Sequence, residues 1–162
     1  TQVEKMAQQG IISGVGNGLF EPDRGVTRAE FAKMLVQMLG LKQEDTDAFT
    51  DVTADDWYSG FVGAAYRSGI IKGNDGLFRP DEFVSREDAA VMLHRFLEHR
   101  GIIVSGGTSF ADNSLIADYA TEAVSTLAQK GVITGYENRF RPKDTTSRAE
   151  AAVMIGRADA LK

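Results

Sequence analysis

Three prolines, Pro22, Pro80 and Pro142, mark three copies of one segment, and that internal repeat limits the fold more than any other feature. Around them the chain reads GLFEPDRGVTRAEFAKML, GLFRPDEFVSREDAAVML and NRFRPKDTTSRAEAAVMI. Each proline follows a phenylalanine by two positions (Phe20, Phe78, Phe140) and precedes an arginine by six (Arg28, Arg86, Arg148). Upstream stand Gly10-Ile11-Ile12, Gly69-Ile70-Ile71 and Gly131-Val132-Ile133, each followed by a second glycine, Gly14, Gly73 and Gly135. Copies two and three also share an opening, Phe49-Thr50-Asp51 and Phe110-Ala111-Asp112, and an aromatic 12 residues before the first glycine, Trp57 and Tyr119. The repeats are 1–40, 49–101 and 110–162, joined by an acid-rich linker and a glycine-rich one. The first copy lacks the opening segment, so the chain is expected to be a fragment of a larger protein.

Periodicity sets the elements. Each repeat reads as a helix ending at its first glycine, a loop, and a second helix. Val3/Met6, Val62/Ala65 and Val124/Leu127 give the first helices one buried stripe. Gly10, Gly69 and Gly131 stand where a left-handed residue ends a helix. Phe-x-Pro is expected to hold the chain extended, because proline fixes its own φ and restrains its predecessor. Thr27-x-x-Glu30, Ser85-x-x-Asp88 and Ser147-x-x-Glu150 read as capping boxes that start the second helices, the middle one weakened by Asp. Apolar positions follow at Phe31, Met34, Leu35 and Met38, at Ala89, Met92, Leu93 and Phe96, and at Ala151, Met154, Ile155 and Ala158. A helix pair of ~50 residues buries too little surface alone. The three second helices should therefore pack together in an all-α fold with pseudo-threefold symmetry.

Composition excludes several functions. The 162 residues include no cysteine, which removes disulfides, thiolate metal sites and cysteine nucleophiles without fixing a compartment. No apolar run approaches the length of a membrane span. No signal-peptide pattern stands at Thr1, which leaves a cytosolic protein or one whose signal has been removed. The net charge of -5 argues against nucleic acid as a partner and means that an anionic ligand must be held by local groups. No cofactor, metal site, membrane insertion or catalytic constellation is expected, and the isolated module should be monomeric. Asn74-Asp75-Gly76 lacks the alternating acids of a calcium loop and reads as a turn. The acidic stretch Asp45, Asp47, Asp51, Asp55 and Asp56 reads as a solvated linker plus a helix start, and His94 and His99 as exposed histidines.

Arg28, Arg86 and Arg148 break a local rule. A cation at the first helical position opposes the macrodipole, at a cost of roughly 0.3–1 kcal/mol. Two readings stay open: a structural pairing with a nearby acid such as Asp23, Asp81 or Asp144, or an anion site in which free helix amides and a guanidinium fork hold a carboxylate. Upstream glycines would let backbone approach such a ligand. On the second reading, removing an arginine costs binding and little stability. Trp57 and Tyr119 could cap the core or wall a groove.

Phe-x-Asp, the aromatic at Trp57, Gly-Ile-Ile-x-Gly, Phe-x-Pro and Thr-Arg-Ala-Glu together resemble the S-layer homology (SLH) repeat, three copies of which cover nearly the whole chain. The middle copy departs from the pattern as Ser-Arg-Glu-Asp. The resemblance implies a three-pronged spindle around a central three-helix bundle. It implies a secreted, non-catalytic anchor at the bacterial cell wall and S-layer. Its partner would be a secondary cell wall polymer attached to peptidoglycan, commonly carrying pyruvylated N-acetylmannosamine, bound in grooves between repeats. Carried onto this chain, Arg28, Arg86 and Arg148 would meet the pyruvyl carboxylate, Gly14, Gly73 and Gly135 would wall the grooves, and Trp57 and Tyr119 would add stacking surface. A helical-repeat scaffold for a partner protein is the alternative. A calcium-dependent cohesion module of the dockerin type would need the alternating acids that are missing.

Overall fold

A computed structural model describes residues 2–12 and 20–162, with side chains from residue 4. Gly14 therefore lies outside the described residues, as does the side chain of Val3. Among the described residues there are six α-helices and no strand: α1 (Gln2–Gln8), α2 (Arg28–Met38), α3 (Ser59–Arg67), α4 (Arg86–His99), α5 (Asp118–Gln129) and α6 (Arg148–Asp159). None is long and apolar enough to cross a membrane.

The glycines end the first helices as their position suggests. Gly10, Gly69 and Gly131 take φ of 71°, 78° and 71°. The next amide in each, from Ile11, Ile70 and Val132, reaches back to Met6, Ala65 and Leu127 at 2.9–3.0 Å. This is the paired C-terminal closure that a left-handed residue permits.

The second helices start as the capping boxes require. Thr27 and Ser147 accept from the Glu30 and Glu150 amides, and those carboxylates accept from the Thr27 and Ser147 amides at 3.0 and 2.8 Å. Ser85 accepts from the Asp88 amide, but Asp88, one methylene shorter, makes no return bond.

One expectation fails at this junction. The helix amides are not free. Those of Arg28 and Ala29 donate to the Glu82 and Pro80 carbonyls at 2.8 and 3.0 Å. Those of Arg86 and Glu87 donate to Asp144 and Pro142, and those of Arg148 and Ala149 to Arg24 and Pro22. Each helix start is thus closed by the loop of another repeat, in the cyclic order one to two, two to three, three to one. At the centre the ring is explicit: Val26 donates to Thr146, Thr146 to Val84 and Val84 to Val26, at 2.9–3.0 Å. All three residues are buried.

Packing follows the same cycle. Helices α2, α4 and α6 contact one another in every pair, and α3 lies on α2, α5 on α4, and α1 on α6. Phe31, Leu35, Leu93, Phe96 and Ile155 fill the core they share. The linkers lie along the outer helices. The Glu44 amide bonds the Gly60 carbonyl at 3.0 Å, and a Cβ on Gly63 would stand 1.8 Å from the Glu44 carbonyl oxygen.

Phe-x-Pro is not extended. The residue before each proline is left-handed, with φ of 50° at Glu21, 59° at Arg79 and 58° at Arg141. In copies two and three the opening aspartate braces this turn. Asp51 accepts from the Phe78 and Arg79 amides at 2.9 and 2.7 Å, and Asp112 from Phe140 and Arg141, both at 2.8 Å. Two successive amides converge on one carboxylate only when the backbone folds into such a nest. This takes Asp51 out of the solvated acidic stretch.

Candidate functional site

Each N1 arginine reaches across to the next repeat. Arg28 Nε donates to the Phe78 carbonyl at 2.8 Å, Arg86 Nε to Phe140 at 2.8 Å, and Arg148 Nε to Phe20 at 2.9 Å. The guanidinium carbons sit 5.2, 5.1 and 4.8 Å from the rings of those phenylalanines. Arg28 Nη1 pairs with Asp88 at 2.7 Å and Arg86 Nη1 with Glu150 at 2.5 Å. These acids stand at the third position of the next repeat's helix, so the pairing with Asp23, Asp81 or Asp144 does not occur. Glu150 serves both roles at once, one oxygen on its own cap and the other on Arg86. At the third junction Arg24, not Arg148, takes Glu30 at 2.6 Å. Burial, with Arg24 as a like-charged neighbour, lowers the Arg148 pKa.

Among the described residues, two of these arginines open onto grooves. The Arg28 groove, about 750 Å³, is formed by the loop after α3, the outer face of α4 and Tyr119 of α5. The Arg86 groove, about 470 Å³, is formed by the loop after α5 and the face of α6. Arg28, Lys72, Arg79 and Arg95 face Glu82 and Asp88 in the first. Arg86, Arg139, Arg141 and Arg157 face Asp144 and Glu150 in the second. Each groove thus sets four cations against two carboxylates, the reverse of the chain's overall balance. Arg86 Nη2 donates to the Thr134 carbonyl at 3.1 Å, a third bond that Arg28 lacks.

Gly73 and Gly135 line the two grooves, yet their side-chain face is blocked by the protein itself. A Cβ on Gly73 would lie 2.3 Å from the Phe49 ring, and one on Gly135 would lie 2.7 Å from the Phe110 ring. The opening phenylalanines, with the Leu77 and Arg139 carbonyls, therefore require glycine there, whatever occupies the groove.

Trp57 and Tyr119 are 56% and 63% exposed, which removes the core role for both rings; the neighbouring Tyr58 is the buried one. Tyr119 stands in the Arg28 groove, its hydroxyl 2.7 Å from Asp88. Burial and the Asp88 hydrogen bond push its pKa up. Trp57 stands beside Lys33, whose Nζ is 5.8 Å from its ring. Glu87, buried where the other copies have Ala29 and Ala149, accepts from the Ala117 amide and from Lys143. His94 is not the exposed histidine expected: it is partly buried, and its Nε2 finds no partner. Asn74 to Leu77 form a tight turn with Asp75 and Gly76 both left-handed.

The sequence reading missed most of the groove arginines. Arg79 and Arg141 occupy one repeat position, as do Arg95 and Arg157, so the alignment that found the N1 arginines also carries these.

The S-layer homology domain family matches residues 2–32, 48–90 and 109–152. An amylopullulanase of Thermoanaerobacterium thermosulfurigenes is 36% identical over 94% of the chain, which covers 8% of that protein. A cellulosome-anchoring protein of Acetivibrio thermocellus is 30% identical over 91% of the chain and 35% of its own length. The S-layer protein sap of Bacillus anthracis is 28% identical over 97% of the chain and 19% of its own length. The chain thus spans about a third or less of each of these relatives.

Proposed function

The chain belongs to the S-layer homology family, and on that premise we propose that it is a non-catalytic module that anchors a larger secreted protein to the bacterial cell wall. Its ligand is an acidic secondary cell wall polymer attached to peptidoglycan, whose pyruvylated N-acetylmannosamine lays its carboxylate in the inter-repeat grooves. The cyclic packing of the three helix pairs is then the spindle of that family. One observation carries the reading: two grooves, each entered by an N1 arginine, concentrate positive charge on a chain of net charge -5. The guanidinium, already held by the phenylalanine carbonyl and the next repeat's acid, keeps spare Nη hydrogens for a carboxylate at little further ordering cost. The helix amides contribute nothing, since neighbouring loops occupy them.

Calorimetry with a pyruvylated N-acetylmannosamine beside its unpyruvylated twin tests the reading. The pyruvylated sugar should bind at least tenfold more tightly, and Arg28→Gln and Arg86→Gln should each reduce the heat of binding. Equal affinity for the two sugars would remove the carboxylate from the mechanism.

A further inference from the structure

The two grooves are built alike but filled differently. Tyr136, Arg139 and Arg141 of the Arg86 groove correspond in the repeat to Asn74, Leu77 and Arg79, of which Asn74 and Arg79 line the Arg28 groove. Arg79 leans toward Glu82 at 4.0 Å. Among the described residues, no carboxylate lies within ion-pair distance of Arg139, Arg141 or Arg157. Arg139 acts on Asp112 only through space, and Asp112 is buried and committed to two backbone amides. Arg141 lies 5.4 Å from the ring of Tyr136, which is 65% exposed. Tyr136 and Arg139 are fixed as a hydrogen-bonded pair across a two-residue turn, at 2.9 and 3.0 Å. Arg86 itself is spoken for on three sides, by Phe140, Glu150 and Thr134.

Three guanidinium groups without an ion-pair partner face one cavity, where Glu150 is taken by Arg86 and Asp144 alone is left to offset them, so they repel one another unless an anion joins them. A single carboxylate at Arg86 leaves that repulsion in place. We infer that the Arg86 groove holds a second anion subsite, formed by Arg139, Arg141 and Arg157 beside Tyr136, for a carboxylate or phosphate on the sugar next to the one at Arg86. This rests on the polysaccharide reading above. It makes the Arg86 groove a two-residue site. Tyr136 offers its exposed face to the sugar ring between the two anions.

Three synthetic disaccharides separate the possibilities. All carry the pyruvylated residue; the adjacent sugar is neutral, bears a carboxylate, or bears a phosphate monoester. On the unmodified module at least one charged disaccharide should bind about tenfold more tightly than the neutral one, with a steeper loss in salt, and which one does so names the anion. The Arg139→Gln/Arg141→Gln/Arg157→Gln variant should lose that advantage, while the neutral compound still binds in the untouched Arg28 groove and a circular dichroism melt matching the unmodified module checks folding. The subsite is overturned if all three compounds bind the unmodified module equally, or if the advantage survives in the variant. Failure of the neutral compound to bind, with the charged advantage intact, would sink the pyruvyl reading and leave the subsite standing.

Discussion

Arg28 Nη1 lies 2.7 Å from Asp88 Oδ2, so the cation that opens α2 is neutralised by the third residue of α4. The same arginine bonds the Phe78 carbonyl, which makes it a fastener between repeats one and two. The expectation that its loss costs binding and little stability therefore changes. Arg28→Gln should lower the unfolding free energy by about 1–2 kcal/mol, since a charged hydrogen bond and a part-buried pair are lost together. Urea unfolding measures it, and a double-mutant cycle with Asp88→Asn should return about 0.5–1.5 kcal/mol of coupling. Zero coupling would mean that the pair does not form in solution.

Asp88→Glu should stabilise. Glu150 shows that one glutamate can hold both the arginine and its own cap amide, and Ser85 lacks that second bond. Completing the box should add about 0.5–1 kcal/mol, read as a higher melting temperature. A lower one would mean that the Tyr119 contact to Asp88 matters more than the cap.

Thr146 sits in the central ring where the other copies have Val26 and Val84, and its buried hydroxyl has no partner. Thr146→Val keeps the shape and removes the orphan. It should raise stability by about 1–2 kcal/mol, roughly 2–6 °C in melting temperature. No change would place the hydroxyl in contact with ordered water.

Asp112 links stability to acid pH. Burial alone would raise its pKa, but the Phe140 and Arg141 amides outweigh burial and bring it below the usual carboxylate value. A folded-state pKa below the unfolded one gives stability that is present above about pH 4 and is lost as the carboxyl protonates in more acid solution. Asp112→Asn should therefore be less stable at neutral pH and show a shallower decline below pH 4. An unchanged acid limb would remove Asp112 from the linkage.

Two classes of glycine should separate. Gly73→Ala and Gly135→Ala drive a Cβ into Phe49 or Phe110 and should cost about 2–4 kcal/mol, with loss of groove binding. Gly69→Ala and Gly131→Ala meet open space and pay only for a left-handed backbone, about 1 kcal/mol, with binding kept. Equal costs would show that the rings yield easily. Circular dichroism melts and calorimetry read both.

Local chemistry was legible where partners are near in sequence. The three-copy plan, the helix ends at Gly69 and Gly131, the caps at Thr27 and Ser147, and the N1 place of Arg28, Arg86 and Arg148 all follow from spacing and side-chain type. Their bonds span a few residues, so no distant segment can change them. The left-handed Arg79 and Arg141 were misread because the carboxylate that takes their amides lies 28 or 29 positions upstream.

The sequence by itself thus determined the repeat, its helices, and which residues break local rules. Only the tertiary structure decided what those residues face. Cyclic closure brings each helix start against another repeat's loop, where backbone carbonyls take the amides meant for an anion and leave the guanidinium edge to the groove. It also gathers Arg139, Arg141 and Arg157 onto one cavity with Arg86, though Arg86 is more than 50 residues away. Charge balance in a groove is a sum over chain segments that meet only on folding.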